Sequence, residues 1–180
     1  MTPEAIAYDK HKNLKIAAEE IGINWQTLYC RLKNQGVTVI GDKLRYGSDR
    51  DKLSAKAEAM FKNIVTSAVS MNDIKWQHKH DFEVNGFKVD VKCSVKRCLS
   101  KKYQSKSWAF SFKKQTLTCD FICCFCLDDN KEVEKVLLVP SEFFKGLQTV
   151  SVAASGKSKW LDYAVDMSEL ETFFSNLNRN

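Results

Sequence analysis

The chain has 180 residues, 44% of them hydrophobic, and carries 28 Lys and Arg against 22 Asp and Glu for a formal net charge of +6. That length suits one ordinary domain, or a module of about 45 residues joined to a core of about 130. No segment approaches the roughly 18 apolar residues that span a bilayer, and the first twelve residues lack the apolar stretch of a signal peptide. No membrane partner is therefore expected and a cytoplasmic, intracellular location is. The seven cysteines read as free thiols of a reducing compartment.

Asn13 to Ile21 forms a first helical pattern with Leu14, Ala17, Ala18 and Ile21 on one side. Gly22-Ile23-Asn24 follows, then a second helix from Trp25 to Asn34 that Gly36 ends. Two short helices joined by a three-residue turn containing Gly resemble the helix-turn-helix of DNA-binding proteins. Asn24 is a natural N-cap, which would aim the start of the second helix at a major groove. The exposed face would offer Trp25 or Gln26, Thr27 and Arg31, with Lys33 nearer the backbone. Gln pairs with adenine and Arg with guanine. Residues 1–45 are assigned to this module, and Gly41 to Lys52 is polar and linker-like.

From Leu53 to Ser70 apolar residues at 53, 57, 60, 61, 64 and 68 make a helical stripe, with Ser48 or Asp51 as its cap and Glu58 near its rim. The stretch His80 to Lys92 then reads as a β-hairpin, because Asn85-Gly86 favours a two-residue type I′ turn in which both residues take φ > 0. That turn predicts the pairs Val84–Phe87, Glu83–Lys88, Phe82–Val89 and Asp81–Asp90. Alternation puts Lys92 on the face of Asp90 and Asp81, and Phe82, Val84, Phe87, Val89 and Val91 on the other. Two ionised carboxylates this close need a proton or a cation between them. Mg²⁺ is commonly held by one or two carboxylates with water and phosphate oxygens. Lys92 could orient or deprotonate a metal-bound water, or neutralise charge on a phosphate.

Between Cys93 and Cys119 there is no acidic residue, while Lys96, Arg97, Lys101, Lys102, Lys106, Lys113 and Lys114 are all basic, a block suited to a polyanion. Tyr103 and Trp108 could touch DNA, although Trp108 reads better as a packed strand residue. Strands are predicted at Ser107 to Phe112, Phe121 to Leu127, Val136 to Val139 and Gln148 to Ala153. Ser141 is expected to cap a short helix through Leu147, and Met167 to Leu177 to form a terminal helix. Cys119, Cys123, Cys124 and Cys126 invite a zinc site, but an apolar strand that alternates Cys123 to one face and Cys124 and Cys126 to the other is better read as buried packing. His78 and His80 read as polar surface or phosphate contacts.

Asp81, followed by Asp90-Val91-Lys92 on the next strand, resembles the signature of the PD-(D/E)XK nuclease superfamily, with His80 in place of the usual proline. The resemblance spans roughly residues 52–147 and implies an α+β fold, a restriction-endonuclease-like mixed sheet flanked by helices, over a domain of 52–180. It further implies that Asp81, Asp90 and the backbone carbonyl of Val91 hold Mg²⁺, for which Mn²⁺ can substitute. Lys92 would activate water, Glu58 on the preceding helix would complete the site, and Lys113, Lys114 or Gln115 would contact the scissile strand. With the DNA-reading module in front, the chain looks like a site-specific endonuclease of the phage or mobile-element (homing) type acting on double-stranded DNA, as a homodimer if both strands are cut. The competing readings are a DNA-binding regulator with a non-catalytic nuclease-like domain, and a junction-selective nuclease.

Overall fold

Helix caps, rather than apolar stripes, delimit the first part of the chain. In the computed structural model, which describes residues 1–39, 47–72, 79–98, 105–112 and 118–177, helix α1 (Pro3–His11) begins where the Thr2 hydroxyl accepts from the Ala5 amide and Pro3 occupies the first turn. Sequence periodicity does not predict this helix. Its buried residues are Ala5, Ala7 and Tyr8, while Ile6 faces solvent, so no apolar stripe marks it. Helix α2 (Leu14–Glu20) starts on Asn13 and α3 (Trp25–Asn34) on Asn24, whose side chain accepts from Thr27 at 2.8 Å. The turn between them closes α2 with two bonds, Gly22 N–H to the Glu19 carbonyl and Ile23 N–H to that of Ala18. Gly22 stands at φ +72°, the left-handed conformation such an ending needs. The three helices pack around Ala5, Ala7, Tyr8, Ala17, Ala18, Leu28 and Leu32.

The described chain divides into two packing units, the first of Met1–Lys52 with Met71 and Asn72, the second of Leu53–Ser70 with the chain from Lys79 onwards. Helix α4 (Asp49–Ile64) begins with a reciprocal cap, since the Asp51 amide donates to the Ser48 hydroxyl and the Ser48 amide to the Asp51 carboxylate. It ends at Ile64, short of the predicted Ser70. Residues after it turn at Val65 to Ala68 and enter strand β1 (Val69–Ser70), which pairs with β2 (Phe82–Val84). Long-range pairing thus overrides the last turn of the helical stripe.

One six-stranded sheet carries the site. Its order is β1, β2, β3 (Phe87–Val95), β6 (Phe121–Leu127), β7 (Val133–Pro140), β9 (Ala164–Val165), and all pairs are antiparallel except β3 with β6. A second sheet joins β4 (Arg97–Cys98), β5 (Lys106–Ser111) and β8 (Thr149–Ala153). Strand β6 is paired on both edges and covered on both faces, which explains its unbroken apolar run. Cys123, Phe125 and Leu127 join Val89, Val91, Ala57 and Phe61 in one core together with helix α5 (Leu170–Asn176). Ile122, Cys124 and Cys126 join Trp108, Phe110, Val150 and Val152 in the other. The result is an α+β fold of helices, mixed sheet and second sheet.

Three local expectations are corrected. Ser141–Phe144 is a 3₁₀ turn with no side-chain cap, because the Ser141 hydroxyl donates to the Cys119 carbonyl instead. Strand β7 starts at Val133, earlier than the predicted Val136. The terminal helix is a 3₁₀ turn (Met167–Glu169) followed by α5. Phe61 is fully buried, with ring centroids 5.0 Å from Phe82 and 6.1 Å from Phe174. Phe61→Ala is therefore expected to cost about 3–5 kcal/mol of unfolding free energy, measured by urea denaturation; a loss under about 1 kcal/mol would contradict this core.

Candidate active site

The hairpin turn places the site. Asn85 (φ +49°) and Gly86 (φ +81°) both adopt the left-handed conformation, and the register is Val84 with Phe87, Glu83 with Lys88, Phe82 with Val89, as predicted. The side chains of Phe82, Val84, Val89 and Val91 enter the first core. Asp90, Lys92 and Ser94 point to the opposite face, level with Ile122, Cys124 and Cys126 of β6.

Regular pairing stops at Phe82 and Val89, so Asp81 does not sit in the ladder across from Asp90. Its amide returns to the Val89 carbonyl at 3.1 Å, and its carboxylate Oδ2 accepts from the Val91 amide at 2.8 Å. The side chain therefore substitutes for the missing strand at that edge. In an extended strand a residue's N–H and C=O point to the same edge, so the Val91 carbonyl is directed to the Asp81 side of β3 rather than to β6.

Asp90 is 6% exposed and lies within hydrogen-bonding reach of the Asp81 carboxyl. Lys92 Nζ makes an ion pair with Asp90 Oδ2. That ammonium is the cationic partner of the buried oxygen. Burial, with help from the Asp81 charge, pushes the Asp90 carboxyl up to about 7 against the opposing pull of Lys92. Burial draws Lys92 down, but Asp90 and Asp81 outweigh it and hold the ammonium above its ordinary range. With Asp90 ionised, the three groups sum to one negative charge. With Asp90 protonated, they sum to zero.

A divalent cation fits this chemistry: two adjoining carboxylates that share one ammonium, and a strand carbonyl directed to the Asp81 side, are hard oxygen donors. Glu58 lies on α4 and accepts from the Ser54 hydroxyl at 3.3 Å. Among the described residues no three His, Cys, Asp or Glu side chains are grouped to hold a metal, so Glu58 does not join Asp81 and Asp90 in a ligand cluster in this arrangement. The buried cysteines are packing groups, with burial raising Cys119 to about 11 and Cys126 to about 12.

His80 departs from the sequence prediction of a polar surface residue. It is buried, and its Nε2 lies 3.1 Å from Glu83 Oε1. Glu83 thus turns to His80 rather than across the strand to Lys88. Asp120 anchors the site in a way the sequence did not suggest. Its carboxylate accepts from the Lys88 amide and its own amide donates to the Lys88 carbonyl, both at 2.8 Å, which fixes β6 to β3 two residues before Asp90. An aspartate directly ahead of a buried strand was the available signal.

Of the predicted basic block, Lys96, Arg97 and Lys106 are among the described residues. Lys96 pairs with Glu134 and lies 5.5 Å from the Trp108 ring centroid, while Lys106 pairs with Asp129. Arg97 is exposed on β4. Trp108 is buried and donates to the Leu127 carbonyl. Lys101, Lys102, Tyr103, Lys113, Lys114, Gln115 and His78 lie outside the described residues. In the first unit Asn24 is committed to its cap, Thr27 is half-buried, Trp25, Gln26 and Lys33 are exposed, and Arg31 donates to Glu4 of α1 at 2.9 Å. Among the described residues, no helix is long and apolar enough to cross a membrane.

No family model and no curated protein matches the chain. Among solved structures it is similar to a bacterial homing endonuclease, I-Ssp6803I. The identity is 14% and the TM-score 0.44, over 76% of this chain and 93% of that one.

Proposed function

We propose that this protein is a Mg²⁺-dependent, site-specific endonuclease of double-stranded DNA, with α2 and α3 as a helix-turn-helix reader. The observation that carries the proposal is the buried Asp90 beside Asp81 and Lys92. With Asp90 ionised, the two carboxylates outnumber the single Lys92 ammonium by one negative charge. Such a group is costly unless a cation completes it.

Asp81, Asp90 and the Val91 carbonyl would hold the ion, with Glu58 assisting the metal or its water shell. Bound there, Mg²⁺ (or Mn²⁺) supplies Lewis acidity and a lowered water pKa. The chain's own residues do the rest. Lys92 keeps its proton at neutral pH and so serves as a fixed cation and donor beside the reacting phosphate, not as a base. Asp81 is held in place by the Val91 amide, and Asp120 keeps β3 in register with β6. A single such site cuts one strand, so a double-strand break implies two copies on a pseudo-palindromic target.

The test is incubation of the purified full chain with supercoiled plasmid and phage DNA, in Mg²⁺, in Mn²⁺ and in EDTA. Metal-dependent conversion to nicked or linear forms is expected. DNA binding without cleavage under all metal conditions would instead identify a regulator with an inactive nuclease-like domain.

A further inference from the structure

Helix α3 has two flanks with different jobs. Leu28 and Leu32 are fully buried against α1 and α2. Gln26, Tyr29, Cys30 and Lys33, at i, i+3, i+4 and i+7, share the exposed side. Arg31 lies roughly 200° around the helix from Tyr29, and its guanidinium donates to Glu4, so it braces α1 against α3. Arg31, the arginine suited to reading guanine, is therefore engaged by Glu4 on the flank opposite Tyr29.

We infer that α3 reads A·T base pairs in the major groove of duplex DNA, through Gln26 and Tyr29, with Lys33 on the backbone. This rests on the proposal that α2 and α3 form a DNA reader. Gln26 carries the amide that pairs with adenine N6 and N7. Tyr29 is 39% exposed and offers an apolar ring face to the thymine methyl, beside the small exposed Cys30. Lys33 Nζ stands 6.0 Å from the Tyr29 ring centroid, where it can reach a phosphate. No acidic residue occurs from Ile21 to Val39, so nothing on this helix repels a polyanion.

The experiment selects binding sites for the full chain from randomised duplexes in EDTA, then replaces each selected thymine by deoxyuridine, which lacks the methyl. The wild type is expected to select A·T pairs and to bind the deoxyuridine site about fourfold more weakly per contacted methyl. Tyr29→Ala should be insensitive to that replacement, and Gln26→Ala should lose preference at one A·T pair. Maleimide labelling of Cys30 in the unmutated chain should be slowed by the selected duplex, which tests the face without altering it. A selected site that binds equally with uracil, or a G·C preference abolished by Arg31→Ala, overturns the inference while leaving α3 a DNA reader. Failure to select any sequence overturns the reader itself.

Discussion

Asparagine in place of Asp90 is expected to lower Mg²⁺-dependent cleavage by at least about a hundredfold while leaving the metal-free protein no less stable at pH 8. The two results come from one property. The Asp90 carboxylate is buried and raised to about 7, so at pH 8 the fold carries an ionised group that burial disfavours. Asparagine keeps the shape and removes that charge, leaving Asp81 and Lys92 balanced. Loss of the charge also removes the donor that most needs a cation. Lys92→Ala differs in a useful way. It is expected to lose cleavage to a similar degree but also to lose stability at pH 8, because Asp90 is left buried without its partner. Plasmid cleavage rates and urea melts of the two variants separate these effects; an active Asp90→Asn protein would remove the site from the mechanism.

Magnesium is expected to stabilise the protein strongly at pH 8 and little at pH 5. Asp90 titrates near 3.8 when unperturbed and near 7 in the fold, so between those values the folded state holds a proton that the unfolded chain has lost. Metal-free stability therefore falls as pH rises from about 4 to about 7 and is level above, as far as this group is concerned. Lys92, also held above its ordinary range, works in the same sense but in a higher pH window. Its contribution is complete at neutral pH and is lost only as pH rises through that elevated range. Protons and Mg²⁺ compete for the same carboxylates. At a hundredfold excess over its dissociation constant the ion adds about 2.7 kcal/mol, or roughly 5–10 °C in thermal midpoint for a chain of this size. Calorimetry at the two pH values, with wild type and Asp90→Asn, measures it. The cleavage rate should likewise rise with pH through a midpoint that moves below 7 as Mg²⁺ increases. Equal stabilisation at both pH values would mean the ion binds elsewhere.

Short-range chemistry determined a good deal of this protein from sequence alone. Asn85-Gly86 set the hairpin register because a type I′ turn, with both residues at positive φ, joins the strands in two residues. Asn24 and Gly36 bounded α3 because caps act within one helical turn. The alternation of β6 sent Cys123 and Cys124 to opposite cores because strand period two is independent of what covers each face. Helix α1 escaped because small residues without a stripe leave no periodic signal.

What only the tertiary structure decided are the contacts between residues distant in sequence. The sequence places Asp81 across from Asp90, but β2 begins one residue later, at Phe82, and the Asp81 carboxylate turns onto the Val91 amide. Arg31 gains Glu4 of α1, Lys96 gains Glu134 and Lys106 gains Asp129, each from a distant part of the chain. The raised Asp90 is likewise a product of burial in the folded chain, since a pKa depends on solvent and charge in three dimensions. Residue types and their local spacing are written in the chain; which charges survive unpaired is settled only when distant segments pack.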